Sequence, residues 1–323
     1  MDAIIYNDSA IRGAAEVIKR GGLVAFPTET VYGLGADAFN AAAVARIFEV
    51  KNRPRFDPLI VHVADFNCVE KITKNISPLA QKLMSKFWPG PLTLILHRKD
   101  IIPDIVTAGL STVGIRMPNH PVALELIRSA GVPIAAPSAN PFGYLSPTTA
   151  AHVTQQLGGK VDFILDSGKC FIGIESTILD LSGALPKLLR PGGIPLEEIE
   201  QVIGTISFDE RTEMAKPMSP GQLPQHYSPR TPIKLLDGNE VQANQIRGLL
   251  AFKSPRNQEL FKVTEILSTS GDLKEAAVNL FSCLHRLDKA GLDMIYAEPV
   301  PEIGLGKAIM DRLRRACSPI AND

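Results

Sequence analysis

Cysteine is scarce in this chain, and the way it is spread excludes several chemistries. Cys68, Cys170, Cys283 and Cys317 lie far apart and form no CxxC pair. That spacing argues against a zinc knuckle and suits a reducing, cytoplasmic setting. An excess of either charge is missing too, because 34 Lys and Arg balance 34 Asp and Glu. With no bulk field, direct nucleic-acid binding is expected to be weak or absent, and no acidic membrane attracts the chain. No apolar run approaches the ~20 residues that span a bilayer. The opening MDAIIYNDSA lacks the basic and apolar regions of a signal peptide. The patterns GxxxxGK[ST], HExxH and GxSxG are all absent. A P-loop NTPase is thereby excluded, and neither a zinc-peptidase helix nor a nucleophile elbow is available.

What is present centres on residues 24–63, VAFPTETVYGLGADAFNAAAVARIFEVKNRPRFDPLIVHV. Val24–Phe26 reads as a short central strand, ended by Pro27, which has no N–H for a ladder. Thr28, Glu29 and Thr30 follow at its exit. Gly33 and Gly35 predict a tight turn with close backbone approach by a ligand. Asn40 is a cap for a helix over 41–50. Lys51, Arg53 and Arg55 follow it, and two readings stand: an anion-binding corner, or cations placed at a helix C-terminus by the dipole. LIVHV then returns as an apolar strand carrying His62.

Elsewhere Ser9 is placed as the cap of a first helix, and helices are predicted over 65–74, 77–87, 120–130 and 147–157. Strands are predicted over 92–96, 112–117, 133–136, 163–165, 175–180 and 187–190. This alternation favours an open α/β sheet. Between Glu213 and Pro232 the chain holds five prolines and the segment SPGQLPQHYSPRTP. That is a linker signature, either a bare tether or, given His226 and Tyr227 inside it, a lid. A second α/β unit follows, with strands over 233–236, 248–252, 260–263 and 294–297 and helices over 271–288 and 308–316. Lys307, Arg312, Arg314 and Arg315 read as a solvated face. Gly304-Leu305-Gly306 lacks the third glycine of a nucleotide fingerprint.

Ten polar groups stand near strand ends: Thr30, Lys51, Arg53, His62, Arg116, Ser138, Asn140, Ser146, Ser176 and Arg190. Ligands of open α/β sheets gather at the carboxyl ends of strands. A mix of cations and hydroxyls suits an anionic, phosphate-bearing ligand held without a side-chain nucleophile. Singly, each has a plain structural reading: His62 as a core histidine, Arg116 as a paired core cation, Ser138 and Asn140 as turn formers.

The segments FPTETVYGLGADA, KNRP, PLIVH, FWPGPLTLIL, STVGIRMPNHP, APSAN, ESTILDL and LRPGGI resemble, in order and spacing, the YrdC-type domain. With the linker and a C-terminal unit ending in GLGKAIMDRLRRAC, the chain is similar to the long, two-domain threonylcarbamoyl-AMP synthases. The resemblance implies a YrdC-like twisted open mixed sheet with flanking helices over 1–206, a linker and active-site lid over 207–232, and a smaller Rossmann-like α/β domain over 233–323. It implies condensation of L-threonine, bicarbonate or CO₂, and ATP to threonylcarbamoyl-AMP and pyrophosphate, with Mg²⁺ accompanying ATP. A separate tRNA threonylcarbamoyl transferase machinery would use the product on the adenosine next to the anticodon. Carried over by motif, Lys51 and Arg53 are catalytic, and Thr30, His62, Arg116, Ala136 (by backbone) and Ser176 hold threonine and its carbamate. ATP falls to Arg53, Asp57, Thr112, Ser138, Asn140, Ser146, Arg190 and Tyr227, and no residue is a metal ligand. Asp57 stands where the family commonly has asparagine, and the linker lacks basic and aromatic residues that many members carry. The alternatives are an RNA-binding or ribosome-associated YrdC-type module, which the neutral charge disfavours, and carbamoyl-transfer enzymes whose acylphosphatase and zinc-finger modules this chain lacks.

Overall fold

A computed structural model describes residues 3–208, 217–221, 226–236, 245–255 and 258–317. Two stretches of the expected linker, 209–216 and 222–225, lie outside the described residues. The larger unit runs β1 (Ile4–Ile5), α1 (Asp8–Lys19), β2 (Val24–Phe26), β3 (Gly33–Asp37), α2 (Ala41–Lys51), β4 (Ile60–His62), α3 (Phe66–Ile72) and α4 (Pro78–Phe87). It continues through β5 (Leu92–His97), α5 (Asp104–Thr107), β6 (Thr112–Arg116), α6 (Pro121–Ala130), β7 (Ile134–Ala135) and α7 (Ala150–Gln156). It ends with β8 (Phe163–Asp166), β9 (Thr177–Asp180), β10 (Lys187–Arg190), α8 (Leu196–Ile203) and β11 (Ser207–Phe208). The strands form one mixed, 11-stranded sheet in the order β1-β8-β2-β3-β7-β4-β6-β5-β9-β10-β11.

Two sequence expectations give way here. Residues 33–37 do not turn: they form β3, antiparallel to both β2 and β7. Gly35 is required by packing rather than by a turn. A Cβ there would meet the Phe26 ring at 2.8 Å and Ile134 Cγ2 at 2.6 Å. The first helix is capped by Asn7, whose side chain accepts from the Ala10 N–H, and not by Ser9.

Side chains alternate across a strand, and β2 shows which face is which. Ala25 joins the large core with α2 and α4, whereas Val24 and Phe26 pack against α1 and α6. Further along that second face, over β4, β5, β9 and β10, lies only a small apolar patch of Ile60, Ile95, Ile178 and Leu189. Met218 of the linker packs on it. No helix among the described residues contributes to this patch, and the polar groups collect beside it. β4 and β6 run parallel with His62 opposite Arg116.

The smaller unit comprises β12 (Ile233–Leu235), β13 (Arg247–Ala251), β14 (Val263–Ile266), α9 (Leu273–Asp288), β15 (Met294–Ala297) and α10 (Gly306–Ala316). Its four strands are all parallel, in the order β12-β15-β13-β14. The strand expected over 260–263 begins later, at Val263, after a short 3₁₀ turn. Its core is continuous with the larger unit, since Val31, Leu145, Ile174 and Tyr227 pack with Leu280 and Phe281 of α9.

Candidate active site

One cleft gathers Thr30, Arg53, His62, Arg116, Ala136, Ser138, Ser176, Arg190 and Tyr227, joined by Thr28, Ile60, Glu175, Pro220 and His226. It lies across the sheet face. Ile60 and His62 are alternate residues of β4, and both line it. The antiparallel pairing of β2, β3 and β7 with their neighbours mixes the strand directions, so no single carboxyl edge exists to hold the ligand.

The Thr28–Val31 loop is knotted by one hydroxyl. Thr28 Oγ1 accepts from the N–H groups of Thr30 (3.1 Å) and Val31 (3.3 Å), and donates to the Val31 carbonyl at 2.7 Å. This aims Thr30 at Arg116, whose Nη1 donates to Thr30 Oγ1 at 2.9 Å. Arg116 Nε donates to the Gly90 carbonyl at 3.3 Å. Glu29 stands 2.6 Å from Arg116 Nη2, at an angle that makes the contact an ion pair rather than a hydrogen bond. His62 is buried beside them with its ring edge-on to Phe26. Burial, then the Arg116 charge, pushes its pKa down to about 3. It is therefore neutral at pH 7, and its Nδ1 has no protein partner among the described residues. Ser176 Oγ pairs with Thr93 Oγ1 at 2.8 Å and accepts from Arg190 Nη2 at 3.2 Å. Arg190 also holds the Ser176 carbonyl (2.9 Å) and reaches Pro220 of the linker (3.3 Å).

The predicted nucleotide side divides. Arg53 faces the cleft, its Nε on the Asp57 carbonyl (3.1 Å) and its Nη2 on the Pro58 carbonyl (2.9 Å). The Asp57 carboxylate is wholly buried 2.8 Å from that guanidinium. Lys51 lies beneath: its Nζ donates to the Ser138 carbonyl at 2.6 Å and to the Asn140 carbonyl. Burial and the neighbouring Arg53 push the Lys51 pKa well below the usual lysine value. Asn140 spends its amide on the Pro141 and Tyr144 carbonyls. Ser146 donates to Glu175 Oε1 at 2.5 Å. Thr112 begins β6, four residues from Arg116, which is about 13 Å along a strand. Lys51, Asp57, Thr112, Asn140 and Ser146 thus do not line the cleft.

Described residues of the linker line it as well. Pro220, His226 and Tyr227 are lining residues, and Tyr227 adopts φ +65° with none of its side chain exposed. The Ser228 N–H bonds the Gly143 carbonyl at 2.8 Å, and His226 stands edge-on to Phe142. Burial pushes the Tyr227 phenol up to about 12, so it stays protonated. That hydroxyl has no hydrogen-bond partner among the described residues. Buried polar groups without partners are rare and call for an explanation. A ligand supplies one for Tyr227 and for His62 Nδ1. The cavity is about 50 Å³, well below the ~300–1,000 Å³ of small-molecule sites.

Sequence reasoning missed Glu29, Glu175 and Arg312. Arg312 is not solvated: its side chain is 0% exposed, its Nε lies 3.0 Å from Glu175 Oε2, and its guanidinium stands 5.2 Å over the Tyr227 ring. The signal was available, because Ala308, Arg312 and Arg315 fall at i, i+4 and i+7 along α10, a buried stripe. Glu29 was flanked by two threonines already singled out, and Glu175 immediately precedes Ser176. Among the described residues no three His, Cys, Asp or Glu side chains are grouped to hold a metal ion. The buried carboxylates Glu29, Asp57 and Glu175 are each taken by an arginine.

A family model described as "Telomere recombination" matches residues 16–192, and one described as "Threonylcarbamoyl-AMP synthase, C-terminal domain" matches 194–318. The chain is 45% identical to the threonylcarbamoyl-AMP synthase of Pyrococcus abyssi, covering 95% of this chain and 93% of that protein. Against the enzyme of the same name from Bacillus subtilis it is 44% identical, covering 98% and 95%. The crystal structure of P. abyssi Sua5 complexed with L-threonine superposes with a TM-score of 0.90 at 42% identity, covering 98% of each chain.

Proposed function

The chain belongs to the threonylcarbamoyl-AMP synthase family, and from that premise we propose how its cleft makes threonylcarbamoyl-AMP from L-threonine, bicarbonate and ATP. The observation that carries the reading is the convergence of three buried guanidiniums, Arg53, Arg116 and Arg190, with hydroxyls from Thr30, Ser138, Ser176 and Tyr227, on one cleft.

Arg116, oriented by Thr30 and Glu29, takes the threonine carboxylate. Neutral His62, Ser176 and the Ala136 backbone border the amine and the carbamate formed when that amine adds to CO₂; bicarbonate supplies the CO₂ by losing hydroxide, which takes up the proton that the amine gives up and leaves as water. The carbamate oxygen attacks the α-phosphorus of ATP, the bond to the β-phosphate oxygen breaks, and pyrophosphate leaves. Arg53, Arg190, Ser138 and the Tyr227 hydroxyl lie where charge grows on the departing phosphates. Placement and exclusion of water carry the step, and no nucleophilic side chain takes part. Lys51 and Asn140 act from below as struts of the Ser138–Asn140 loop, with Thr112 and Ser146 more distant contributors to nucleotide binding. Glu29, Asp57 and Glu175 are each paired with an arginine, so these carboxylates are not free to hold a metal ion. Mg²⁺ would be held by the ATP phosphates and water, as its preference for few protein ligands allows.

In this reading the catalytic unit expected over 1–206 extends to 208, because β11 pairs with β10; the linker and lid follow to 232, and 233–323 form the second unit. The product passes to a tRNA threonylcarbamoyl transferase machinery that modifies the adenosine next to the anticodon. No helix among the described residues is long and apolar enough to cross a membrane, and we place the reaction in the cytoplasm. The deciding experiment is pyrophosphate release from ATP, expected only when threonine and bicarbonate are both present. Release with serine but not threonine would overturn the substrate assignment.

A further inference from the structure

We propose that His285, on α9 of the smaller unit, is a positioning residue for ATP: it holds the Ser146 main chain, and so fixes the Ser146 hydroxyl on Glu175, a carboxylate that lines the cleft. The proposal rests on the assignment of Ser146 to nucleotide binding made above.

Helix α9 lies directly against two loops of the larger unit. At Gly173 an added Cβ would stand 2.5 Å from Val278 Cα and 2.6 Å from the Ala277 carbonyl oxygen. The chain leading to Glu175 and Ser176 therefore rests on the helix backbone. The second loop, 145–148, is tied by polar contacts. Ser282 Oγ pairs with Thr148 Oγ1 at 3.0 Å, and His285 Nε2 meets the Ser146 carbonyl at 3.2 Å. The His285 ring is 5% exposed and stacks on His152 of α7, with centroids 4.0 Å apart and planes 27° apart.

Partners decide the tautomers. A carbonyl only accepts, so Nε2 of His285 carries the proton. The Thr148 N–H points at Nδ1 of His152 at 3.3 Å, so that nitrogen is the bare one. Both rings are neutral. Burial lowers His285 to about 4, and burial, then the neighbouring His285, Lys289, Arg286 and Lys169, lowers His152 to about 3. The Nε2–H donor is thus constant through the neutral range. Ser146 is held at both ends, its carbonyl by His285 and its hydroxyl by Glu175, whose other oxygen faces Arg312. Losing the His285 donor would leave a buried carbonyl unsatisfied and the Ser146 peptide free to rotate.

The test uses the full chain with His285→Gln, His285→Asn and Ser146→Ala. The glutamine amide nitrogen reaches the position of Nε2, whereas asparagine is polar but too short. Michaelis constants for ATP and threonine are read from pyrophosphate release, with thermal unfolding as the folding control. His285→Asn is expected to raise the KM for ATP about tenfold and leave that for threonine within twofold, with His285→Gln close to wild type. Ser146→Ala is expected to raise the ATP KM as well, and adding His285→Asn to it to cost little more. If Ser146→Ala raises the ATP KM and His285→Asn does not, the positioning role is overturned and the nucleotide assignment stands. If Ser146→Ala leaves it unchanged, the assignment itself fails. A His285→Asn protein with a lower melting point and both KM values unchanged would reduce His285 to an interface residue and overturn the proposal.

Discussion

The Glu29 carboxylate lies 2.6 Å from the Arg116 guanidinium, with 0% and 4% of the two side chains exposed. Breaking a buried pair strands a charge, at a cost of about 3–5 kcal/mol. Glu29→Gln is therefore expected to lower stability by about 3 kcal/mol. Glu29→Gln combined with Arg116→Met should recover part of that loss in urea unfolding while remaining inactive. Additive destabilisation would show that the two groups do not interact.

Lys51 holds the carbonyls of Ser138 and Asn140 rather than facing the cleft. Lys51→Ala and Arg53→Ala are each expected to cut turnover by at least about 100-fold, by different routes. Ser138→Ala added to Lys51→Ala should cost little more, because both act through one loop, whereas added to Arg53→Ala it should cost its full amount. Near-wild-type turnover in Lys51→Ala would remove the strut from the reaction.

Asp57 neutralises part of the Arg53 charge that an ATP phosphate would otherwise meet. Asp57→Asn should lower the KM for ATP several-fold while also lowering the melting temperature, since Arg53 then loses its buried counter-charge. A raised KM would show that Asp57 orients Arg53 instead of attenuating it.

Gly221 has φ +81°, and a Cβ there would meet the Tyr227 hydroxyl at 2.8 Å. Gly221→Val should keep the linker from seating over the cleft and cut pyrophosphate release at least about tenfold, since a left-handed backbone and a close approach both require glycine. Unchanged activity would show that closure is dispensable.

Acid should weaken the fold through its buried histidines. His62 and His285 are held down to about 3 and about 4 by burial, against an ordinary value of 6.5. Between those values and 6.5 the unfolded chain binds protons that the folded chain refuses, so stability rises with pH across that window and is lost as pH falls through it. Each histidine contributes a slope of at most about 1.4 kcal/mol per pH unit. Urea midpoints measured from pH 4.5 to 7.5 should show a shallower fall for His285→Gln than for wild type. Parallel curves would mean that His285 titrates normally in the folded chain.

Much of this was written locally. Strand patterns such as LTLIL and TVGIR, the Asn40 cap and the Ser77-Pro78 start, and runs such as FPTET and APSAN carry their meaning within a few residues. The sequence by itself determined the two α/β units and the inventory of cations and hydroxyls near strand ends. It also determined that no GxSxG elbow is available. Only the tertiary structure decided that residues 33–37 form a strand and that Lys51 points at carbonyls. It alone carried Arg312 and His285 across to Glu175 and Ser146, 137 and 139 residues away. The reason is physical: a cap or a strand is stabilised by its neighbours in sequence, whereas the partner of a buried charge is chosen by which surfaces meet when the sheet, the linker and α9 pack together.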